Sequence, residues 1–369
     1  MPTEEICTIA LTRVDGIGGV LFRHLVNTFG SASQVFSARK EKLLKVPGLG
    51  KILTENILHQ ENVFTEAEDI LNNSVKAGVK VVSFKDEDYP ARFKNLYDAP
   101  PLMYVKGNGS LHHKRTVGIV GTRQASDYGR QATESIVAAL QPFDVQIISG
   151  LAYGIDISAH RAALKNQMST IGVLANGLDI IYPSSHKKSA VEMLGNGLLI
   201  SENPVGTLPV ASLFLARNRI IAALSDVLII VESGKRGGAM VTAEIANNYH
   251  REVFAVPGSI FHKYAEGTNG LIQSNKAIVF TGVDQLAENM QWLGGKENCS
   301  GQAGRELDMS LFTEDESAVI SILMQKKECL IDDLSWQSQI PLNRLASVLL
   351  NLEFMDIVSQ SAGKTFRLK

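Results

Sequence analysis

From residue 115 onward the chain repeats one device: a short aliphatic run, rich in β-branched residues, breaks off at glycine or a polar group and gives way to a helix-forming stretch. The runs are "RTVGIVGTR", "VQIISGLAYGID", "STIGVLANGLD", "GLLISEN", "SDVLIIVES", "REVFAVPG" and "KAIVFTG". Their apolar residues are continuous rather than alternating, so each strand needs cover on both faces. Buried strands separated by helices form a parallel sheet with helices on either side. Residues 112–290 therefore read as a doubly wound, Rossmann-like α/β domain.

In such a sheet, ligands bind beyond the carboxyl ends of the strands, and those ends carry the unusual residues. Gly121, Thr122 and Arg123 follow the first run; Ser149 and Gly150 follow the second, with Gly154 and Asp156 opening the next helix. Tyr182-Pro183 and then Lys187 and Lys188 follow the third, and "SGKRGGAMVTAE" follows the fifth with Gly237, Gly238 and Thr242. Glycine-exposed amides, hydroxyls and basic groups at four turns describe an anion cradle. Each turn by itself has a structural reading: a glycine chosen for sterics, Ser149 or Asp156 as a helix cap, His160 as a core histidine.

The run "SLFLARNRIIAALS" sets Arg217, Asn218 and Arg219 inside an apolar helical pattern. Two readings stand side by side. The arginines reach a ligand, since a planar fork bonds two phosphate oxygens and also stacks on a base; or they are structural, paired with Asp156, Asp226 or Glu232. Phe214, three residues before Arg217, is either a stacking platform or a core side chain.

The flanks differ in pattern. Residues 1–75 form a helical, helix-hairpin-helix-like (SAM-like) module, because "LTRVDGIGGVLFRHLV" and "LLKVPGLGKILTENIL" each place a Gly-x-Gly turn between helices. Gly16, Gly18, Gly48 and Gly50 either hold a phosphate with their amides or only join packed helices. Residues 76–111 read as an ordered connector, 291–313 as a linker of low apolar content, and 314–369 as a winged-helix-like domain with a short β wing. The third helical pattern of that last domain offers a nucleic acid little beyond Asn343 and Arg344, which favours protein contacts or a minor DNA contact, and Trp336 is read as a core anchor.

Charge narrows the classes. Lys and Arg total 36 against 38 acids, net -2, so a polyanion site must be local. Cys7, Cys299 and Cys329 lie far apart, which points to a reducing compartment, the cytoplasm, without a disulfide framework. No apolar run reaches the ~20 residues of a membrane helix. No cofactor is expected: Gly-x-Gly-x-x-Gly does not follow the first strand, and metal-ligand spacing, a Gly-x-Ser-x-Gly elbow and a Gly-Lys-Ser/Thr loop are all missing from the sequence.

The motifs "GTR", "SGLAYGIDISAH", "GVLANGLDIIYP", "SENPVGTLP", "ARNRIIAALS", "GGAMVTAEIA" and "EVFAVPG", in this order, resemble those of the DNA-processing protein A family, DprA or Smf; "YPARFKNLYDAPPLMYVKG" resembles its lead-in. The resemblance implies a non-catalytic cytoplasmic protein that binds single-stranded DNA, forms a homodimer and loads RecA recombinase during natural transformation. It implies Gly121, Arg123, Ser149, Gly150, Gly154, Lys187, Lys188, Phe214, Arg217, Asn218, Arg219, Gly237, Gly238 and Thr242 as DNA-binding candidates. Departures fall at Leu215, Ala223, Gly237 and Asn275, where the family often has proline, glycine, serine and glycine. A second class, nucleotide phosphoribohydrolases of the lysine-decarboxylase-like group, would use Glu244 with Arg217 on an N-glycosidic bond.

Overall fold

The central strand, Arg115–Val120, sends Val117 and Ile119 into one hydrophobic cluster and Val120 into another. That two-sided burial follows from the continuous apolar runs, because successive strand side chains face opposite ways. The computed structural model describes residues 2–59, 62–94, 96–292, 312–326, 328–355, 357–361 and 365–368. Most of the linker 291–313, with Cys299, lies outside them.

Nine strands form one sheet: β1 (Lys80–Ser83), β2 (Leu102–Gly107), β3 (Arg115–Val120), β4 (Val145–Ser149), β5 (Thr170–Val173), β6 (Leu198–Ser201), β7 (Val227–Ile230), β8 (Glu252–Ala255) and β9 (Ile278–Val279). Their order is β1-β2-β6-β5-β4-β3-β7-β8-β9, and all neighbours from β6 to β9 pair in parallel. β1 and β2 are antiparallel to each other, and β2 is antiparallel to β6. The stretch expected to be a connector thus extends the sheet by two strands. Its sequence hid this because three prolines and a loop separate two runs too short to show a period.

Helices cover both faces. In chain order they are α1 (Glu4–Arg13), α2 (Gly19–Phe29), α3 (Ala32–Phe36), α4 (Lys40–Leu43), α5 (Lys51–Leu58), α6 (Val63–Lys76), α7 (Asp127–Leu140), α8 (Ile155–Lys165), α9 (Lys187–Met193), α10 (Ala211–Leu224), α11 (Gly238–Asn248), α12 (Glu266–Gln273) and α13 (Val283–Asn289). α7, α8 and α13 pack on the face that holds Val117 and Ile119, and α10, α11 and α12 on the face that holds Val120. Arg92, in the segment between β1 and β2, forms a two-pronged pair with Asp226 at 2.7 Å for both contacts. It ties that segment to the start of β7.

The first six helices close around Leu11, Phe22, Leu25, Leu43 and Leu49. The internal repeat is visible in the backbone: Ile17 N–H donates to Val14 O at 3.1 Å and Leu49 N–H to Val46 O at 3.0 Å, with Gly16 and Gly48 at φ 83 and 84. α1 and α6 also share a cluster with β2 and α9, so the helical module packs onto the sheet. A second compact unit, from Lys296, holds α14 (Glu314–Lys326), β10 (Glu328–Leu330), α15 (Ile331–Ser338), α16 (Leu342–Phe354), β11 (Val358–Ser361) and β12 (Thr365–Leu368). Its strands run in the order β10-β12-β11 around a core of Leu323, Leu334, Leu345 and Leu352. Trp336 is 76% exposed and does not anchor that core. Arg344 pairs with Asp315 at 2.5 Å.

His160 is fully buried between α8 and β5. Thr170 donates its hydroxyl to Ile147 O, so it accepts from His160 Nδ1–H at 2.7 Å, and Nε2 is the bare nitrogen, without a partner. Burial holds the imidazole at a pKa of about 3, against an ordinary 6.5. The unfolded chain therefore takes up this proton first as pH falls, and folded stability is lost below 6.5. The expected loss from His160 between pH 7 and pH 5 is about 2 kcal/mol. Urea denaturation of the wild type and His160→Gln checks this, and equal pH slopes for the two would contradict it.

Candidate functional site

After β3 the chain builds β4, β5 and β6 on one side and then returns to place β7 and β8 on the other. The carboxyl ends of β3, β4, β5 and β7 surround a cleft of about 1070 Å³ at this reversal of strand order, the expected place for a ligand.

Its floor holds two buried polar side chains, Arg217 and Asp156. Arg217 on α10 is 4% exposed, and its guanidinium donates to the carbonyls of Gly150 and Val173, which follow β4 and end β5. Asp156, in the first turn of α8, is 6% exposed and accepts from the backbone N–H groups of Gly150 and Ala152. Burial pushes the Asp156 pKa up, opposed by Arg217 and then Arg123. Burial also lowers Arg217 to about 10, opposed by Asp156, so the guanidinium is charged at neutral pH. A side chain at Gly150 would put its Cβ 2.4 Å from Arg217 Nη1. Gly154, at φ +74, would put one 2.2 Å from Thr122 O, and its successor Ile155 donates to that same carbonyl at 3.2 Å. Ser149 is fully buried and donates to Ile119 O at 2.6 Å, a staple between β4 and β3.

The walls carry the accessible groups. Arg123 is exposed on the turn after β3, 5.5 Å from the centroid of Phe214, and Phe214 lies 5.7 Å from Tyr182. Phe214 is thus half-buried at the rim rather than in the core. The same cleft is lined by exposed Lys235 and Arg236 in the loop after β7, and by Lys263 and Tyr264 from the loop after β8. Gly121, Asn218, Gly237, Gly238 and Thr242 also line the cleft. Gly237 caps α11, Asn218 donates to Gly238 O at 3.3 Å, and Thr242 spends its hydroxyl on the same carbonyl at 2.9 Å. Five basic residues line the space against two acids, Asp156 and Glu266, so its field favours an anion.

The other candidates lie elsewhere. Arg219 turns away from the cleft to pair with Glu202 and donate to Asp98 O at 2.7 Å. Three residues cover only part of a helical turn, so Arg217 and Arg219 face different ways. Lys187 and Lys188 are exposed on α9 but do not line the cleft. Of the partners considered for the arginines, Asp226 holds Arg92, and Glu232 accepts from the amide and hydroxyl of Ser126 at the start of α7. Glu244 is exposed and outside the cleft lining, so the hydrolase reading lacks its carboxylate. Sequence reasoning does not single out Lys235, Arg236, Lys263 and Tyr264. A signal for them exists all the same: "SGKRGG" and "FHKYAEG" each follow a strand of the same sheet.

The fold and cleft define an α/β protein with a crevice lined by basic residues at the switch point of its sheet. The family profile for DNA recombination-mediator protein A matches residues 80–291, and the chain belongs to that family. This sets it among DNA-processing proteins rather than enzymes. It is 30% identical to Protein Smf of Synechocystis over 99% of both chains. It is 40% identical to DNA processing protein DprA of Streptococcus pneumoniae over 206 residues, 56% of this chain and 73% of that one. The solved structure of that pneumococcal protein aligns with a TM-score of 0.64 and 31% identity, covering 77% of this chain and 97% of the other. A Helicobacter pylori DNA processing protein A, described for its single-stranded DNA binding mode, aligns with a TM-score of 0.53 and 32% identity over 58% and 95%. Where the family resemblance leads one to expect glycine, Asn275 takes φ +54, the left-handed region that asparagine tolerates best after glycine. Leu215 is 56% exposed on the cleft wall.

The two arginines of the cleft should separate in stability. Arg217→Ala removes two buried charge-assisted hydrogen bonds and leaves two carbonyls without a donor, and should cost about 3–5 kcal/mol. Arg123→Ala should stay within about 0.5 kcal/mol of wild type. Urea midpoints decide, and comparable destabilisation of the two variants would contradict the division into floor and wall.

Proposed function

We propose that this chain binds single-stranded DNA in the cleft and acts in DNA processing for natural transformation. The observation that carries the reading is the Arg123–Phe214–Tyr182 cluster in one cleft with Lys235, Arg236 and Lys263. Such a site supplies the two things a sequence-tolerant single-strand binder needs: cations along the backbone and an aromatic face for a base, each stack worth ~1–3 kcal/mol. The Helicobacter relative, described for single-stranded DNA binding, supports it by likeness. Arg217 acts beneath the strand by holding the floor, and Arg123 touches it.

In this reading the bound protein protects incoming DNA, works as a homodimer and loads RecA recombinase in the cytoplasm. Among the described residues no helix is long and apolar enough to cross a membrane, which is compatible with that setting. The second unit is a winged-helix-like domain, helix–strand–helix–helix–strand–strand, used for protein contacts. The ion pair on Arg344 leaves its third helix few groups for a base edge.

Fluorescence anisotropy with labelled oligo-dT over a salt series tests the site. Arg123→Ala should weaken binding at least about tenfold and reduce the salt slope by about 0.7 for each phosphate that Arg123 neutralises. Unchanged affinity and slope in the folded variant would remove the cleft from the reading. RecA nucleation on the same strand should be accelerated by wild type and not by Arg123→Ala.

A further inference from the structure

A second cavity, of about 670 Å³, opens at the carboxyl ends of β7 and β8. Tyr264 lines both this cavity and the first cleft, and its phenol is bonded to Gln124, so a Gln124–Tyr264 ridge separates the two spaces. Lys263, a lining residue of the first cleft, sits with its ammonium 5.7 Å from the Tyr264 ring, so a cation stands at the crossing.

The second cavity is built differently from the first. Its walls include Tyr128, Val256, Pro257 and His262, and the Tyr128 hydroxyl donates to Pro257 O at 3.0 Å. The His262 ring meets the Tyr264 ring edge-on at 5.9 Å. At the bottom lies Glu232, 2% exposed, with its carboxylate fixed by the Ser126 amide at 2.9 Å and the Ser126 hydroxyl. His262 Nδ1 is 3.9 Å from Glu232 Oε1. Each carboxylate oxygen has a second lone pair beyond the one Ser126 uses. Flat aromatic and aliphatic walls over a fixed acceptor suit a planar heterocycle that carries N–H donors on one edge.

We propose that this cavity receives a nucleobase of a strand whose phosphate lies in the first cleft, and that Glu232 selects bases with an exocyclic amine over thymine. The proposal rests on the single-stranded DNA reading. Cytosine, adenine and guanine each bring an amino group to a carboxylate, and an acid accepting from cytosine N4 is an established pairing. Thymine turns two carbonyl oxygens toward the same edge and offers only its N3–H between them. Tyr264, which lines both spaces, and the lysine beside it favour a DNA base as the occupant, rather than a side chain of a second copy.

The test is competition anisotropy on the full chain with oligo-dC and oligo-dT of equal length. Oligo-dC should bind at least about fivefold tighter, the lower bound for one good base contact. Glu232→Gln should bring the ratio toward one, and because Glu232 also caps α7, Tyr128→Ala provides an independent variant that leaves the cap in place and should reduce the ratio too. Equal binding of the two oligonucleotides by wild type, with oligo-dT still released by Arg123→Ala, would overturn the base cavity alone. Oligo-dT binding that ignores Arg123 would overturn the parent reading. A Tyr128→Ala variant that dissociates into monomers on sedimentation with its dC-to-dT ratio intact would assign the cavity to a second copy and overturn the proposal.

Discussion

The Arg217 guanidinium, buried between the ends of β4 and β5, is the interaction on which the cleft depends. A cation taken out of water needs acceptors nearby, and here two main-chain carbonyls take its Nη1–H groups while the Asp156 carboxyl lies within electrostatic reach. Those contacts fix three things at once. α10 is pinned across the strand ends, the first turn of α8 is held by the Asp156 contacts, and Gly150 must lack a side chain. Phe214 lies one turn earlier on the same face of α10, so a floor residue at 217 brings a rim residue at 214 beside Arg123.

That arrangement divides labour between arginines that look alike in the sequence. Arg217 is engaged by two main-chain carbonyls and Arg219 is held by Glu202, so neither is offered to a ligand as a free cation. Arg123, Lys235, Arg236 and Lys263 sit on loops after three different strands and line the same space. Loops at strand ends can carry long charged side chains without burying them, whereas a helix packed on the sheet cannot. The rigid parallel core holds the loops, and the loops carry the chemistry.

Much of the fold is legible in the sequence because continuous apolar strands have one stable solution, a parallel sheet buried on both faces. The glycine turns likewise place the cleft at the correct strand ends. Direction is what the sequence does not show: Arg217, Asn218 and Arg219 are consecutive, and only packing decides that the first faces the floor and the third faces Glu202. Ser149 reads as a ligand group and is a core staple, because a hydroxyl at a strand end can as readily bond a neighbouring carbonyl. β1 and β2 escape notice since two short antiparallel strands separated by a loop with three prolines carry no period. Lys263 and Tyr264 are equally hidden, because their loop is distant in sequence from the other turns and joins them only through the crossing of the sheet.

The most direct measurement is a crystal structure of the protein with a short single-stranded oligonucleotide. A cleft that binds the strand as proposed predicts a backbone phosphate on Arg123 with Lys235, Arg236 or Lys263 opposite, a base against Phe214, and Arg217 still bonded to Gly150 and Val173 beneath the strand. A strand bound along the N-terminal helices or the second unit, with the cleft unoccupied, would contradict that assignment.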